Sequence, residues 1–274
     1  MEWEKTLEEV IRERRSCRSY EDRTIEAPKL EKMRSFLDER NRENKDFRFV
    51  FLGLEEGNGK VGSYGMISGA KNYIAGIVKK NCGRIEEFGI EFEKIILFAT
   101  DLGLGTCWLA GINRKILDGM VGLAPDEVVA VASPVGYAKK IGFKEGLVRR
   151  VVSADKKKPW EELFFDGRPG VSLPREKAVE YALPLEMVRL APSGSNKQPW
   201  RVVMDEKGFH FCILRNRGYG AGLPLDIQRN DIGIAMCHFE LMAGIMHLAG
   251  KWVFDENMRM DGLEYIRTWS VKSE

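Results

Sequence analysis

The chain has 274 residues, of which 44% are hydrophobic and 31% charged, so it can bury a substantial core as one large domain or two small ones. Its 43 Lys and Arg residues nearly balance 41 Asp and Glu residues, giving a net charge of +2, which excludes an overall field that attracts nucleic acid or an anionic membrane. Five scattered cysteines, an apolar-poor N-terminus and no C-x-x-C pair argue against a disulfide framework or structural zinc and favour a cytoplasmic protein.

The first part of the chain alternates helical and strand-like segments. Residues with helical spacing predict helices over 6–16, 28–42, 87–104 and 115–121, and β-rich runs predict strands over 47–52, 71–78 and 127–134. A basic segment follows over 142–158. The clearest linker covers residues 166–174, which are rich in Gly and Pro. We therefore expect a first unit over 1–168 and a second over 169–274.

The second unit resembles the first in outline. It predicts a helix over 180–190, a strand over 200–204, and a helix from about Ile232 that Asp226 and Asp231 cap. Residues 89–108 align without a gap onto 233–252, with Gly on Gly and Trp on Trp at the two ends. Two apolar helices can match in this way by chance, but the pattern also predicts an internal duplication.

A polar turn over residues 191–200 stands out between a predicted helix and a predicted strand. Pro192 and Pro199 bracket it, which restricts its conformational freedom. Its hydroxyl and amide groups can donate and accept hydrogen bonds, and Gly194 allows close approach to a ligand. These polar side chains are Ser193, Ser195, Asn196 and Gln198. The alternative is an ordinary capped helix end with a serine turn.

A basic motif lies at the end of the first predicted helix. Arg14, Arg15 and Arg18 place three guanidinium groups beside the Ser16 hydroxyl within five residues. Guanidinium is permanently charged and binds phosphate oxygens in a forked geometry, so this cluster is suited to a phosphate group. A solvated helix terminus that complements the helix dipole is the alternative.

Together, the Arg-Arg-Ser-x-Arg motif and the Pro-Ser-Gly-x-Asn-x-Gln-Pro-Trp motif resemble the nitroreductase family of flavin enzymes. The resemblance implies an α+β fold with a mixed, mainly antiparallel sheet surrounded by helices. In that family each flavin site combines the first motif of one subunit with the second motif of the other. Here each motif occurs once, which implies two half-subunits in one chain that form a monomeric pseudo-dimer. It also implies one FMN site at the seam, meaning the interface between the two halves.

Two further segments are similar to family segments that contact the flavin. Over residues 103–111, the resemblance implies that Trp108 and Leu109 pack on the flavin ring, while the backbone N–H groups of Ala110 and Gly111 face its N5 and O4 atoms. In the basic segment, the resemblance implies that Lys156 and Lys158 reach the phosphate, with Arg149 and Arg150 as alternates. The cofactor-binding set expected in full is Arg14, Arg15, Ser16, Arg18, Trp108, Leu109, Ala110, Gly111, Lys156, Lys158, Pro192, Ser193, Gly194, Ser195, Asn196 and Gln198.

The function that this resemblance implies is an FMN-dependent oxidoreductase. NADH or NADPH would reduce FMN, and a small acceptor such as a nitroaromatic or quinone would then be reduced in a ping-pong cycle. Because the flavin carries the electrons, no catalytic side chain and no metal are expected. A flavin-binding carrier or sensor without turnover, and an interaction scaffold without cofactor, remain alternatives. The G-x-G-x-x-G sequence at 57–62 is not followed by a helical pattern, which argues against a dinucleotide fingerprint.

Overall fold

The computed structural model describes residues 3–53, 65–139 and 156–271. The α-helices are α1 (Leu7–Glu13), α2 (Ala27–Glu43), α3 (Ile85–Asp101), α4 (Arg114–Val121), α5 (Trp160–Leu163), α6 (Ala182–Leu190) and α7 (Ile227–Ile245). The strands are β1 (Phe47–Gly53), β2 (Asn72–Lys79), β3 (Gly105–Thr106), β4 (Glu127–Gly136), β5 (Phe164–Asp166), β6 (Trp200–Asp205), β7 (Gly208–Ile213), β8 (Lys251–Val253) and β9 (Glu264–Ser270). Short 3₁₀ helices cover Arg175–Tyr181 and Gly194–Asn196.

The strands form two sheets that repeat one topology. The first sheet has the order β1-β2-β4-β3 and is antiparallel throughout. The second has the order β5-β6-β7-β9-β8, in which β6 to β9 pair antiparallel and β5 lies parallel to β6. Without β5, the two orders correspond strand for strand. The α+β fold class, the mainly antiparallel pairing and the two half-subunits in one chain are thereby confirmed.

The long helices α3 and α7 pack against each other between the sheets, and two glycines mark their crossing. A Cβ atom on Gly89 would lie 2.4 Å from the carbonyl oxygen of Asn230, and one on Gly233 would lie 2.1 Å from that of Glu86. Gly89 aligns with Gly233, and extending the same gapless alignment by three residues pairs Glu86 with Asn230. The contact is therefore the same from both sides, as at a twofold axis.

The hydrophobic core of the second half also takes residues from the beginning of the chain. Leu7, Val10 and Ile11 of α1 are buried in the same cluster as the inner faces of α6, α7 and the second sheet. The edge strand β5 precedes residue 168 yet pairs with β6. The boundary at 168 stays a prediction, although segments on its N-terminal side complete the second half. Within the described ranges, no helix has the length and apolar character needed to cross a membrane.

Two helix ends differ from the sequence expectations. Helix α1 begins with a capping box, in which Thr6 and Glu9 exchange hydrogen bonds, but it ends at Glu13 instead of residue 16. Helix α7 begins at Ile227, five residues earlier than expected, because Asp226 accepts the backbone N–H groups of the first turn. Asp231 was expected to be a cap, but it lies inside this helix and is buried.

Candidate functional site

A cavity of about 1150 Å³ lies between the two halves. Most of its described walls come from four parts of the chain: the segment after α1, the turn that follows α3, the loop that precedes β6, and the first turns of α7. Lys157 and the turn around Tyr219 also contribute. Arg14, Arg15, Ser16 and Arg18 therefore share one cavity with Pro192, Ser193, Gly194, Ser195 and Asn196. The two motifs are about 180 residues apart in sequence, and the structure brings them together.

The basic motif is extended because α1 ends before it. A parallel bridge joins Ser16 to Thr106, and the backbone N–H of Cys17 donates to the Thr106 carbonyl at 2.7 Å. Alternation along an extended backbone explains why Cys17 is buried while Arg14, Ser16 and Arg18 remain half-exposed at the cavity. The Nη1 atom of Arg18 is buried and has no hydrogen-bond partner among the described residues. Such a buried charged donor requires a ligand or water.

The loop over residues 192–198 holds an uncommon backbone conformation. Ser195, Asn196 and Gln198 have positive φ angles of 47°, 54° and 48°. Non-glycine residues in this region cost free energy, so their neighbours must hold them there. The Ser193 hydroxyl accepts the backbone N–H of Gln198 at 2.8 Å. The bent loop directs Pro192 to Asn196 toward the cavity.

Asp231 fixes this loop to helix α7. Both of its carboxylate oxygens accept the backbone N–H of Gly194, at 3.0 and 3.1 Å. Burial raises the pKa of the Asp231 carboxyl well above its usual value, although the Gly194 N–H bond acts in the opposite direction. A side chain at position 194 would collide with Tyr219, because a Cβ atom there would lie 2.4 Å from the Tyr219 hydroxyl oxygen.

Asp231 and Tyr219 line the cavity but were not among the expected site residues. An isolated aspartate near a helix start is typical of a cap, and only the packing of the 192–198 loop against α7 reveals that Asp231 instead holds this loop. Tyr219 lies in a glycine-rich turn that carries no motif. Neither residue gave a sequence signal specific enough to place it in the site.

The structure places the basic segment and Gln198 differently from the other expected site residues. Among the residues that the structure describes, Lys157 lines the cavity, whereas Lys156, Lys158 and Gln198 do not. The Lys158 ammonium pairs with Glu162 at 2.8 Å. Gln198 is 2% exposed, accepts the backbone N–H of Lys158 and donates to the Lys156 carbonyl.

Gln198 therefore links its own loop to the 156–158 backbone, and protein groups bond both the oxygen and the nitrogen of its amide. The ammonium of Lys157 donates to the Ala191 carbonyl at 2.7 Å. The alternates Arg149 and Arg150 lie outside the described residues.

The segment after α3 forms another wall. Trp108, Leu109, Ala110 and Gly111 all line the cavity. The Trp108 ring is half-buried and meets Phe92 edge to face, with centroids 4.6 Å apart. Leu109 exchanges two backbone hydrogen bonds with Ala132 of β4, both at 2.9 Å. The wall is thus continuous with the first sheet, which fixes its position relative to the cavity.

The equivalent interface region on the other side of the pseudo-twofold axis carries different residues. Glu86 and Glu87 stand where the cavity has Asn230 and Asp231, and Phe254 stands where it has Ala110. The Arg267 guanidinium lies 3.2 Å from Glu86 and 3.6 Å from Glu87, and it packs over the Phe254 ring at 5.1 Å. Ion pairs and an aromatic side chain thus occupy the positions that line the cavity on the first side.

A protein-family model matches residues 6–243, and its description reads "Putative TM nitroreductase". The match covers most of the chain, so this protein belongs to that nitroreductase family. A search of curated proteins found no match.

Among solved structures, a protein of Thermotoga maritima described as a putative nitroreductase is similar over 98% of this chain and 96% of its own, with 18% identity and a TM-score of 0.62. That similarity extends over both halves and supports the fold.

Two other structures match about half of this chain. A nitroreductase family protein of Clostridium difficile 630 covers 48% of this chain and 84% of its own, at 24% identity and a TM-score of 0.40. A putative nitroreductase of Desulfovibrio desulfuricans, solved in complex with FMN, covers 53% of this chain and 96% of its own, at 20% identity and a TM-score of 0.40.

Proposed function

We propose that the cavity binds one FMN and that the protein is an FMN-dependent NAD(P)H oxidoreductase that reduces a small acceptor. The observation that carries this proposal is the meeting of the Arg14–Arg18 motif and the Pro192–Asn196 loop in a single cavity. Each motif comes from a different half, so the chain supplies both sides of the site. We further propose that the protein acts as a monomer, because the intrachain pseudo-dimer replaces a second subunit.

The residues present fit FMN in charge. Arg14, Arg15 and Arg18 can bind a phosphate, and Arg18 carries a buried Nη1 atom without a hydrogen-bond partner in the described part of the chain. Each charge-assisted hydrogen bond contributes roughly 1.5 to 3 kcal/mol, so three supply much of the about 8 kcal/mol that micromolar affinity requires.

The cavity also fits FMN in size and in the character of its walls. Its volume of about 1150 Å³ exceeds the roughly 300–1,000 Å³ typical of small-molecule sites, which leaves room for a second reactant. Away from the arginines, the walls include apolar and aromatic groups such as Leu104, Trp108 and Ile234. Such groups are suited to a flat ring system.

When bound, FMN would supply the redox chemistry by accepting a hydride from NAD(P)H and transferring it to the acceptor. The chain's own contribution is binding and orientation. Arg14, Arg15 and Arg18 would hold the phosphate, the 192–196 loop would contact FMN from the opposite wall of the cavity, and the Trp108–Gly111 wall would hold the ring. The backbone N–H groups of Ala110 and Gly111 are the proposed donors to the N5 and O4 edge, where fixed donors favour developing negative charge.

The absorption spectrum and steady-state kinetics of the purified protein test this proposal. We expect a flavin spectrum that stays with the protein after FMN is added and the unbound FMN is removed by gel filtration. We also expect oxidation of NADH or NADPH that depends on menadione or a nitroaromatic. Protein that binds FMN but is reduced by neither nicotinamide would instead be a flavin carrier or sensor. Protein that is colourless once unbound FMN has been removed by gel filtration would contradict the proposal entirely.

A further inference from the structure

A buried chain of hydrogen bonds leads from the cavity wall to the interface between the halves. The indole N–H of Trp108 donates to Glu93 Oε2 at 2.7 Å, and Glu93 Oε1 lies 2.9 Å from His238 Nε2. His238 Nδ1 lies 2.9 Å from the Met187 carbonyl oxygen. Glu93 and His238 are both 0% exposed. Glu93 belongs to α3 and His238 to α7, so this chain crosses from one half to the other.

The hydrogen-bonding capacity of this chain is fully used. A backbone carbonyl only accepts, so His238 must carry a proton on Nδ1. The 2.9 Å contact between Nε2 and Glu93 then requires a second proton between the two side chains. Both Glu93 oxygens are therefore occupied, one by His238 and one by Trp108. The carboxylate has no freedom to turn unless one of these bonds breaks.

A similar set of contacts occurs on the other side of the pseudo-twofold axis, away from the cavity. Trp252, the equivalent of Trp108, donates its indole N–H to Glu240 at 2.7 Å. Lys94, the equivalent of His238, lies 3.1 Å from the other Glu240 oxygen. Each tryptophan is thus fixed by a carboxylate that a basic side chain of the opposite long helix holds. Of the two tryptophans, Trp108 lines the cavity.

We propose that Glu93, held by His238, is a positioning residue that sets the orientation of the Trp108 indole in the cavity wall and thereby the affinity for a flat aromatic ring. The ring in question is the isoalloxazine of FMN, so this inference rests on the proposed function. An indole bound only through Phe92 could tilt about its side-chain torsions. The bond to Glu93 removes that freedom before the ligand arrives, which lowers the entropic cost of binding.

The test compares three changes along the chain. Glu93→Leu removes both acceptors, Glu93→Gln keeps an oxygen for the indole and an N–H for a neutral His238, and Trp108→Phe removes the indole donor together with part of the ring surface. We expect Glu93→Leu and Trp108→Phe each to raise the Kd of FMN by about tenfold. The double variant should bind no more weakly than Trp108→Phe alone, because without the indole N–H the Glu93 carboxylate has no bond to the ring left to lose. Glu93→Gln should restore binding close to wild type.

Glu240→Leu is the matched control. It removes the equivalent bond to Trp252 on the side away from the cavity, so it should disturb the Trp252 indole and leave FMN affinity unchanged. Equal weakening by Glu240→Leu and Glu93→Leu would overturn the proposal, since both would then act through general stability. Unchanged FMN affinity in Glu93→Leu and Trp108→Phe would overturn it as well.

A measurement on protein without flavin distinguishes a failure of this inference from a failure of the proposed function. In the ligand-free protein, the ¹H–¹⁵N resonance of the Trp108 indole should be protected from solvent exchange, should lose protection in Glu93→Leu, and should keep it in Glu93→Gln. If wild type binds no FMN, the proposed function fails, and these indole signals still decide whether Glu93 positions Trp108. An indole signal that is unchanged in Glu93→Leu would contradict the positioning role, whether or not the protein binds FMN.

Discussion

The crossing of α3 and α7 predicts a large effect of one added methyl group. In Gly233→Ala, the new Cβ would lie 2.1 Å from the Glu86 carbonyl oxygen, where an ordinary contact is 3.4 Å or longer. The Cβ is attached directly to the backbone of α7 and the carbonyl belongs to the backbone of α3, so the two helices must separate to remove this close contact. We expect destabilisation of about 3 kcal/mol, at the upper end for overpacking, which lowers the Tm by roughly 6–12 °C in a chain of this size.

Urea and thermal unfolding, followed by circular dichroism, measure this effect. Gly244→Ala is the matched control, because it lies in the same helix and a Cβ there meets no atom within 4 Å. It should gain up to about 1 kcal/mol from helix propensity. Because the cavity lies at the same seam, Gly233→Ala should also retain less FMN. A Gly233→Ala protein as stable as the Gly244→Ala protein would refute the reasoning.

Other changes test the site itself. Arg14→Ala should raise the Kd of FMN about tenfold or more through loss of a charged contact. Asn196→Ala should also raise this Kd, by freeing the loop from the Lys156 carbonyl. A fluorescence titration in which only one of the two changes raises the Kd would contradict a site shared by both halves. Gly194→Ala should weaken FMN binding because its Cβ meets the Tyr219 hydroxyl, and adding Tyr219→Phe should restore binding unless the loop fails for another reason. Burial raises the pKa of Asp231 in the folded state, so the folded protein keeps a proton that the unfolded chain releases above about pH 4. Stability should therefore fall as pH rises from about 4 toward the folded pKa. Urea titrations above that pH should show a smaller fall for Asp231→Asn, and an unchanged fall would assign the pH dependence to other groups.

Local sequence patterns were sufficient for much of the fold. Hydrophobic periodicity predicted the long helices and the strands β1, β2, β4 and β6 to within a few residues, because burial of one face dictates the spacing. The inner strands β7 and β9 of the second sheet were not predicted. The alignment of Gly89 with Gly233 predicted the duplication, and the crossing of α3 and α7 shows why both positions require glycine. The helix ends were less well predicted. Asp226 competes with Asp231 as a cap, and only the backbone geometry selects between them.

The candidate site was predictable where motifs exist and not where packing decides. The arginine motif and the polar loop were identified from residue type and spacing, and the structure places both at one cavity. Lys158 and Gln198 have suitable chemistry for a phosphate or a flavin, yet Glu162 and the Lys156–Lys158 backbone use those groups. The binding roles of the residues at the cavity remain predictions. Charge and polarity identify candidate ligands, whereas their hydrogen-bond partners decide which are available.

The stoichiometry of FMN binding tests the central claim most directly. Titration of the ligand-free protein with FMN, followed by flavin fluorescence and referenced to an accurate protein concentration, gives the number of sites per chain. The account predicts one FMN per chain, at the seam that Arg14 and Asn196 share. Two per chain would show that the seam occupied by Arg267 and Phe254 also binds flavin, and none would contradict the assignment of the cavity.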